Sequence, residues 1–337
     1  MNFGAPPMMR RGPGFHRGGG RRDGGHYALL LLLGQISNVG VKHIPPVTLG
    51  VLGTCIAVFL RVIPALRPLH SSNMCFDVQS LNLALATGKG VMKPLRNLFL
   101  GPLFHASDWH LYYNMVSWMY KGRTYERFLG SSEAMAVWVV LATVCTGLMY
   151  VGVCWGAAML LHALGGSGDS YGGGYDEDGF GGGSGSVLPE FLIGWLAQHD
   201  ACVVGFSGVL FCLKTVLNFK NAEVLDFEDR NGAGVEEVDV LRQFFPFLGG
   251  IFRTPLRHAV WVELIIIQII TPYVAFLGHL AGILTGLLFV TLQVEEAIVR
   301  PVGNMIRNAI TRPIIEGVQR AAQPPRNDQP PPPPPRH

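Results

Sequence analysis

The chain has 337 residues, of which 49% are hydrophobic and 15% charged, with a formal net charge of +3. Soluble domains carry about 25% charged residues, so this composition argues against a soluble globular protein and for a membrane protein with several spans. The six cysteines lack the paired spacing of a zinc site, and we expect neither a metal nor a cofactor.

The N-terminal residues 1–26 are rich in glycine and arginine, a composition that cannot form a packed core. We expect them to be a disordered cytosolic tail. Arginine–glycine tracts bind RNA in other proteins, but a basic cytosolic flank is the interpretation we favour, and we expect no nucleic-acid partner. Residues 27–33 form a leucine run too short to span and without a signal-peptide cleavage site, which predicts an interfacial helix.

Residues 27–293 are predicted to be an all-α, polytopic membrane domain with six transmembrane helices. The predicted spans are residues 47–63, 109–120, 135–164, 203–217, 259–276 and 277–292. A flexible glycine-rich insertion, residues 165–186, separates the third and fourth spans. Residues 294–337 are predicted to be a tail with an amphipathic segment followed by a proline run, which favours an extended polyproline conformation.

The distribution of basic residues predicts the topology. Basic residues follow the second and fourth spans and the sixth, whereas residues 165–186 carry acidic residues and no lysine or arginine. Because cytosolic loops are enriched in lysine and arginine, both termini are expected in the cytosol and the insertion in the lumen. Cys75 and Cys202 then lie on the lumenal side and can pair if that compartment is oxidising.

Ser207 stands at the start of the fourth span between Gly205 and Gly208. One glycine permits a tight turn, and the other removes a side chain beside the hydroxyl, so the serine is accessible as a nucleophile. The alternative is a glycine–serine contact between packed membrane helices.

Two histidines share the predicted depth of Ser207, because the second, fourth and sixth spans all run inward from the lumen. His279 is the candidate general base that a serine nucleophile requires. His110 and Asn114 are four residues apart on one helical face, where they can stabilise an oxyanion together with the Ser207 backbone N–H. The alternatives are interhelical hydrogen bonding for His110 and Asn114, and a buried histidine bonded to a carbonyl for His279. His105 is expected to brace the preceding loop.

These motifs resemble the rhomboid intramembrane serine proteases, especially the endoplasmic-reticulum type of animals and similar plant rhomboids. The matching patterns are His105-x4-His110-x3-Asn114, Gly205-Phe206-Ser207-Gly208 and Gly278-His279-x2-Gly282-x3-Gly286. The resemblance implies a catalytic dyad of Ser207 and His279, with His110 and Asn114 in the oxyanion hole. It also implies supporting roles for Gly205, Gly208, Phe211 and Gly282, with the Phe211 ring stacked on the histidine. Two family features are absent: a Trp-Arg pair in the first long loop, and ubiquitin-binding and segregase-binding motifs in the tail.

Two functions follow as hypotheses. The first is a serine endopeptidase that cleaves transmembrane protein substrates near the lumenal face, in a multi-pass protein of the endoplasmic reticulum. The alternative is a catalytically weak or inactive rhomboid-like protein that binds clients in membrane-protein quality control, with degradation machinery as a partner. Retention of both Ser207 and His279 favours the enzyme. A transporter would predict internal repeats, and none is evident.

Overall fold

The computed structural model describes residues 27–67, 69, 71–163, 196, 202–220, 237–239, 253–271 and 275–322. Three regions singled out in the sequence lie outside the described residues: the N-terminal tail (1–26), the glycine-rich insertion (165–186) and the proline run (323–337).

The N-terminal third of the described chain consists of short helices. They are α1 (Tyr27–Val39), α2 (Pro46–Phe59), α3 (Ser71–Met74), α4 (Val78–Thr87) and α5 (Met92–Leu100), with 3-10 turns at Val41–His43, Pro64–Leu66 and Gly101–Leu103. Helix α1 packs along α6, the next long helix (Asp108–Leu129), and buries Leu29 and Leu32. The leucine run therefore forms a longer helix than predicted, and one of its faces is covered by protein.

The remaining helices form the body of the molecule. They are α6, α7 (Ser132–Ala163), α8 (Ser207–Phe219), α9 (Leu256–Ile270) and α10 (Phe276–Thr291). A two-stranded antiparallel ribbon, β1 (Glu237–Asp239) and β2 (Arg253–Pro255), precedes α9. After α10 the chain continues through a π-helical turn (Glu295–Val299), α11 (Arg300–Ile306), a second π-helical turn (Arg307–Thr311) and α12 (Arg312–Ala322).

Only part of the predicted set of spans has full transmembrane length. Among the described residues, α7 is the one helix long and apolar enough to cross a bilayer by itself. A second candidate arises if α10 and the helical segment Glu295–Ala322 count together, although a bend of 71° separates them. Helices α1, α2 and α8 are apolar but shorter.

Helix α6 is longer than the sequence predicted. Ser107 caps its start, since the Ser107 side chain accepts the His110 N–H (3.1 Å), and Gly130 ends it in the left-handed conformation at φ 68°. The predicted span ends at residue 120, which places Lys121 and Arg127 among the basic residues of the following loop, but both lie on this helix. The assignment was wrong because Glu126, four residues before Gly130, is buried and not exposed.

Glu126 is buried because it caps another helix. Its carboxylate accepts the backbone N–H groups of Val47 (3.0 Å) and Thr48 (2.7 Å) and the Thr48 hydroxyl (2.8 Å). These N–H groups open α2 and have no intrahelical acceptor, and a carboxylate beside them also complements the helix dipole. The contact joins α2 to α6.

Helix α8 lies centrally, with contacts to α6, α7, α9 and α10. It contributes buried side chains on most of its length: Val209, Leu210, Phe211, Cys212, Leu213, Thr215 and Val216. This position surrounds the start of α8, and therefore Ser207, with the N-terminal ends of α6 and α10.

Candidate active site

The segment that leads into α8 is fixed by three contacts. Cys202 forms a disulfide with Cys75, their Cα atoms 5.4 Å apart, so the pairing that the sequence left open is formed. Phe76 and Val203 exchange backbone hydrogen bonds of 2.8 and 2.9 Å. The Gly205 N–H then donates to the Gly101 carbonyl (3.1 Å). Together these contacts hold the segment that enters the turn before Ser207.

Asn97 anchors the first long loop, in which the expected Trp-Arg pair is absent. Its side chain is 4% exposed and donates from Nδ2 to the carbonyls of Asn73 (3.1 Å) and Cys75 (2.8 Å). A buried amide with two backbone acceptors fixes the loop against α5. Asn97 therefore anchors this loop in the absence of that pair.

Ser207 is the first residue of α8 and is partly exposed. Gly205 has φ +109°, a conformation that favours glycine. Phe206 is 2% exposed, and its ring packs edge-on against Trp118 of α6 with centroids 5.0 Å apart. Because Gly205 forms the turn and the Phe206 ring is buried, the next residue, Ser207, lies at the partly exposed N-terminal end of α8.

His279 lies in the first turn of α10 and is 4% exposed. The Phe211 ring, one turn after Ser207 on α8, stacks on the imidazole with centroids 4.6 Å apart and an interplanar angle of 30°. This is the ring contact that the resemblance implied. No hydrogen bond joins Ser207 to His279 among the described residues; such bonds are often long in enzymes without substrate.

Glycines allow α8 and α10 to approach closely. A Cβ at Gly282 would overlap the Gly208 carbonyl oxygen and lie 2.9 Å from the Phe211 Cβ. A Cβ at Gly286 would lie 2.8 Å from the Cys212 carbonyl oxygen. The Gly282 and Gly286 positions therefore form a smooth face on α10, and α8 packs against it. This packing brings the first turns of the two helices together.

His110 and Asn114 line the turn at Gly205 from α6. A Cβ at Gly205 would lie 2.7 Å from His110 Nε2 and 3.5 Å from Asn114 Nδ2, so only glycine fits. The Ala106 N–H donates to His110 Nδ1 (3.4 Å), which leaves Nε2 as the N–H donor of a neutral ring. Asn114 is 7% exposed, and its Nδ2 has no acceptor in the described part of the chain. Two N–H donors thus converge just before Ser207.

His105 packs behind this pair. Its ring is 4% exposed and meets the His110 ring edge-on, with centroids 5.1 Å apart. Burial, and to a lesser degree the neighbouring His110, lowers the pKa of His105 to about 3. A ring that stays neutral at physiological pH and contacts His110 fits the bracing role expected of it.

The sequence analysis did not identify one ion pair of this region. Lys214 of α8 forms an ion pair with Glu263 of α9, and its ammonium lies 5.0 Å from the centroid of the Phe211 ring. Each member is the single charge of an apolar run, a signal that could have singled out each residue but not their pairing.

Comparisons with known proteins agree with this architecture. The family model of the Rhomboid domain matches residues 93–173. Rhomboid-related protein 4 of Rattus norvegicus is 31% identical over 281 residues, which cover 83% of this chain and 68% of that protein. This chain belongs to the rhomboid family. Rhomboid-related protein 4 of Homo sapiens is 35% identical over 282 residues, 84% of this chain and 65% of the relative.

A plant rhomboid is also similar. Rhomboid-like protein 14, mitochondrial, of Arabidopsis thaliana is 30% identical over 283 residues, 82% of this chain and 65% of that protein. The matched region spans just under two thirds of the human and plant relatives. The chain is therefore a helical membrane protein of the rhomboid family.

Proposed function

We propose that this rhomboid is an intramembrane serine endopeptidase with Ser207 as nucleophile and His279 as general base. We further propose that six helices, α2 and α6–α10, cross the membrane, that the protein resides in the endoplasmic reticulum with both termini in the cytosol, and that transmembrane proteins are its substrates. The observation that carries the proposal is that an imidazole and two N–H donors lie around the turn that leads into Ser207. An imidazole held by Phe211 faces the helix that Ser207 opens, and the N–H donors of His110 and Asn114 meet just before it.

The proposed chemistry assigns one step to each group. The neutral His279 imidazole accepts the Ser207 proton as the hydroxyl oxygen attacks the scissile carbonyl. The oxyanion that forms accepts hydrogen bonds from His110 Nε2, Asn114 Nδ2 and the Ser207 backbone N–H. His279 then donates its proton to the leaving amine, and a water molecule hydrolyses the acyl-enzyme. The partial exposure of Ser207 at the helix end gives that water a route.

The direct test is labelling of the protein in membranes with a fluorescent fluorophosphonate, which reacts with an activated serine. We expect wild-type protein to be labelled, and Ser207→Ala to be unlabelled and unable to cleave a co-expressed single-span substrate. His279→Ala should be as inactive as Ser207→Ala, and the double variant no worse, because residues that act as one unit are not additive.

The matched control is Ser37→Ala, which removes an exposed serine of α1 and should leave labelling unchanged. Labelling of the Ser207→Ala protein at the wild-type level would refute the assignment of the nucleophile. A folded wild-type protein that is neither labelled nor active would instead favour the client-binding alternative.

A further inference from the structure

Glu263, Lys214, Phe211 and His279 form a continuous series of contacts from α9 to the candidate base. The Lys214 ammonium pairs with the Glu263 carboxylate and lies 5.0 Å from the Phe211 ring centroid. Phe211 in turn stacks on His279 at 4.6 Å. Lys214 follows Phe211 by three residues, so the two side chains share one face of α8.

The ion pair lies inside the helical body. The side chains of Lys214 and Glu263 are 11% and 14% exposed. Lys214 lies seven residues after Ser207, about 10 Å along the helix. Ionisable groups in membrane helices are costly, so a charge retained at such depth is expected to have a role. An apolar residue would fill this position on α8 at lower cost.

A second lysine makes the arrangement asymmetric. Lys121 of α6 interacts electrostatically with both Lys214 and Glu263, and its ammonium donates to Ser117 Oγ (3.4 Å). Two lysines therefore surround one carboxylate, and Glu263 bonds to Lys214. Of the two, Lys214 is the lysine that contacts the aromatic ring. A helix clamp alone would not require an aromatic contact.

We propose that Lys214 is a positioning residue for His279, acting through a cation–π contact that fixes the Phe211 ring, while Glu263 holds the ammonium in place from α9. The ring face carries partial negative charge, so a buried cation beside it limits its rotation. A fixed ring in turn limits the orientations open to the imidazole. The inference rests on the proposed function and extends it, because it links the orientation of the base to a helix that contributes no reacting group.

The test measures the rate of fluorophosphonate labelling in membranes, which reports on the reactivity of Ser207 without a protein substrate. The double variant Lys214→Met/Glu263→Gln removes both charges of the ion pair together, and Lys121 keeps its hydrogen bond to Ser117 Oγ. We expect its labelling rate to fall by about 3- to 30-fold, the range expected from loss of a partly buried cation–π contact. Lys214→Arg keeps a cation for both partners and should label at close to the wild-type rate. Lys121→Met, the matched control, removes the lysine that does not contact Phe211 and should also label normally.

A double-mutant cycle distinguishes positioning from clamping. The double variant Lys214→Met/Glu263→Gln is called the neutral pair. In a Phe211→Leu background the neutral pair should not lower the labelling rate further, because the ring that transmits the effect is absent. The reversed pair, Lys214→Glu/Glu263→Lys, restores the interhelical ion pair but places a carboxylate beside the ring, and should label as slowly as the neutral pair.

Normal labelling of the reversed or the neutral pair would overturn the inference, and so would an undiminished effect of the neutral pair in the Phe211→Leu background. These results are distinct from failure of the proposed function, in which wild-type protein itself would show no labelling that depends on Ser207. Thermal unfolding in detergent, measured for each variant, identifies any protein that does not fold, and the neutral pair and the cycle remain informative if the reversed pair does not.

Discussion

Asn114 and His110 occupy one face of α6, and their nitrogen atoms lie 3.5 and 2.7 Å from the position that a Cβ of Gly205 would take. A buried amide nitrogen without a protein acceptor is unusual, because leaving a buried donor unsatisfied costs about 1–3 kcal/mol. Asn114 Nδ2 has no acceptor among the described residues, and an oxyanion formed in the proposed reaction would supply one.

We therefore expect Asn114→Ala to lower kcat for a single-span substrate by up to about 100- to 1,000-fold, the loss caused by removal of one oxyanion donor in soluble proteases. The loss is smaller if the remaining donors compensate, and His110→Ala/Asn114→Ala should then show the larger decrease. The control is Tyr120→Phe, which removes a hydrogen bond to Gln35 (3.1 Å) from the same helix away from Ser207. Wild-type kcat in the double variant would exclude both residues from the oxyanion hole.

At the level of single residues, the sequence predicted the candidate groups but not all of their neighbours. Ser207, His279 and Asn114 were found because a polar side chain in an apolar run is locally conspicuous. The Lys214–Glu263 pair was missed because its two members are 49 residues apart, and nothing in either run specifies a partner. The anchoring role of Asn97 was missed for the same reason, since its acceptors are 22 and 24 residues away.

At the level of elements, the close packing of α8 on α10 sets the separation of Ser207 from His279. The packing depends on Gly282, whose missing side chain leaves room for the Gly208 carbonyl oxygen. Backbone atoms cannot move aside as a flexible side chain can, so a methyl group at this position must separate the helices.

We predict that Gly282→Ala destabilises the protein by about 1–3 kcal/mol, as overpacking of a core does, and greatly reduces cleavage. Gly278→Ala is a matched control on the same helix, because its Cβ would meet the nearest atoms at 3.7 and 3.8 Å, ordinary contact distances. Thermal unfolding in detergent and a cleavage assay measure the two effects. Equal behaviour of the two alanine variants would show that the close approach at Gly282 does not position the site.

The sequence predicted the start of α6 better than its end. The second span was expected at residues 109–120, whereas α6 continues to Leu129. Its second half carries charged residues that are typical of a loop, but Glu126 is buried against the start of α2, 78 residues away. Local composition cannot reveal a capping partner so distant in sequence.

At the level of the whole molecule, the two ends of the helical body differ chemically. One end holds Ser207, His279 and the Cys75–Cys202 disulfide. At the other end Lys220, at the end of α8, pairs with Glu295 (2.6 Å), just after α10.

The C-terminal helical segment docks at the end of the helical body that holds Lys220. Arg300 donates to the Leu129 carbonyl (3.3 Å), and Arg307 pairs with Glu133 (3.2 Å) across the turn between α6 and α7. Gly303 allows the contact, since a Cβ there would lie 2.7 Å from the Ala134 backbone. The sequence predicted an amphipathic segment here, but not this docking, because it joins residues more than 160 positions apart.

The proposed topology makes two measurable predictions about the same molecule. A glycosylation acceptor introduced near residue 184 should be modified in the endoplasmic reticulum, whereas one near residue 231 should not.

The second prediction concerns the disulfide. With four free cysteines and one disulfide, the denatured protein should gain two maleimide mass tags when it is reduced first. Cys75→Ser should abolish that gain, whereas Cys145→Ser should remove one tag with and without reduction and leave the gain of two unchanged. The disulfide requires an oxidising compartment on the side of Ser207, so both measurements should identify the same lumenal face. A reversed glycosylation pattern would place the candidate site on the cytosolic side, and six tags without reduction would show that Cys75 and Cys202 are unpaired in the cell.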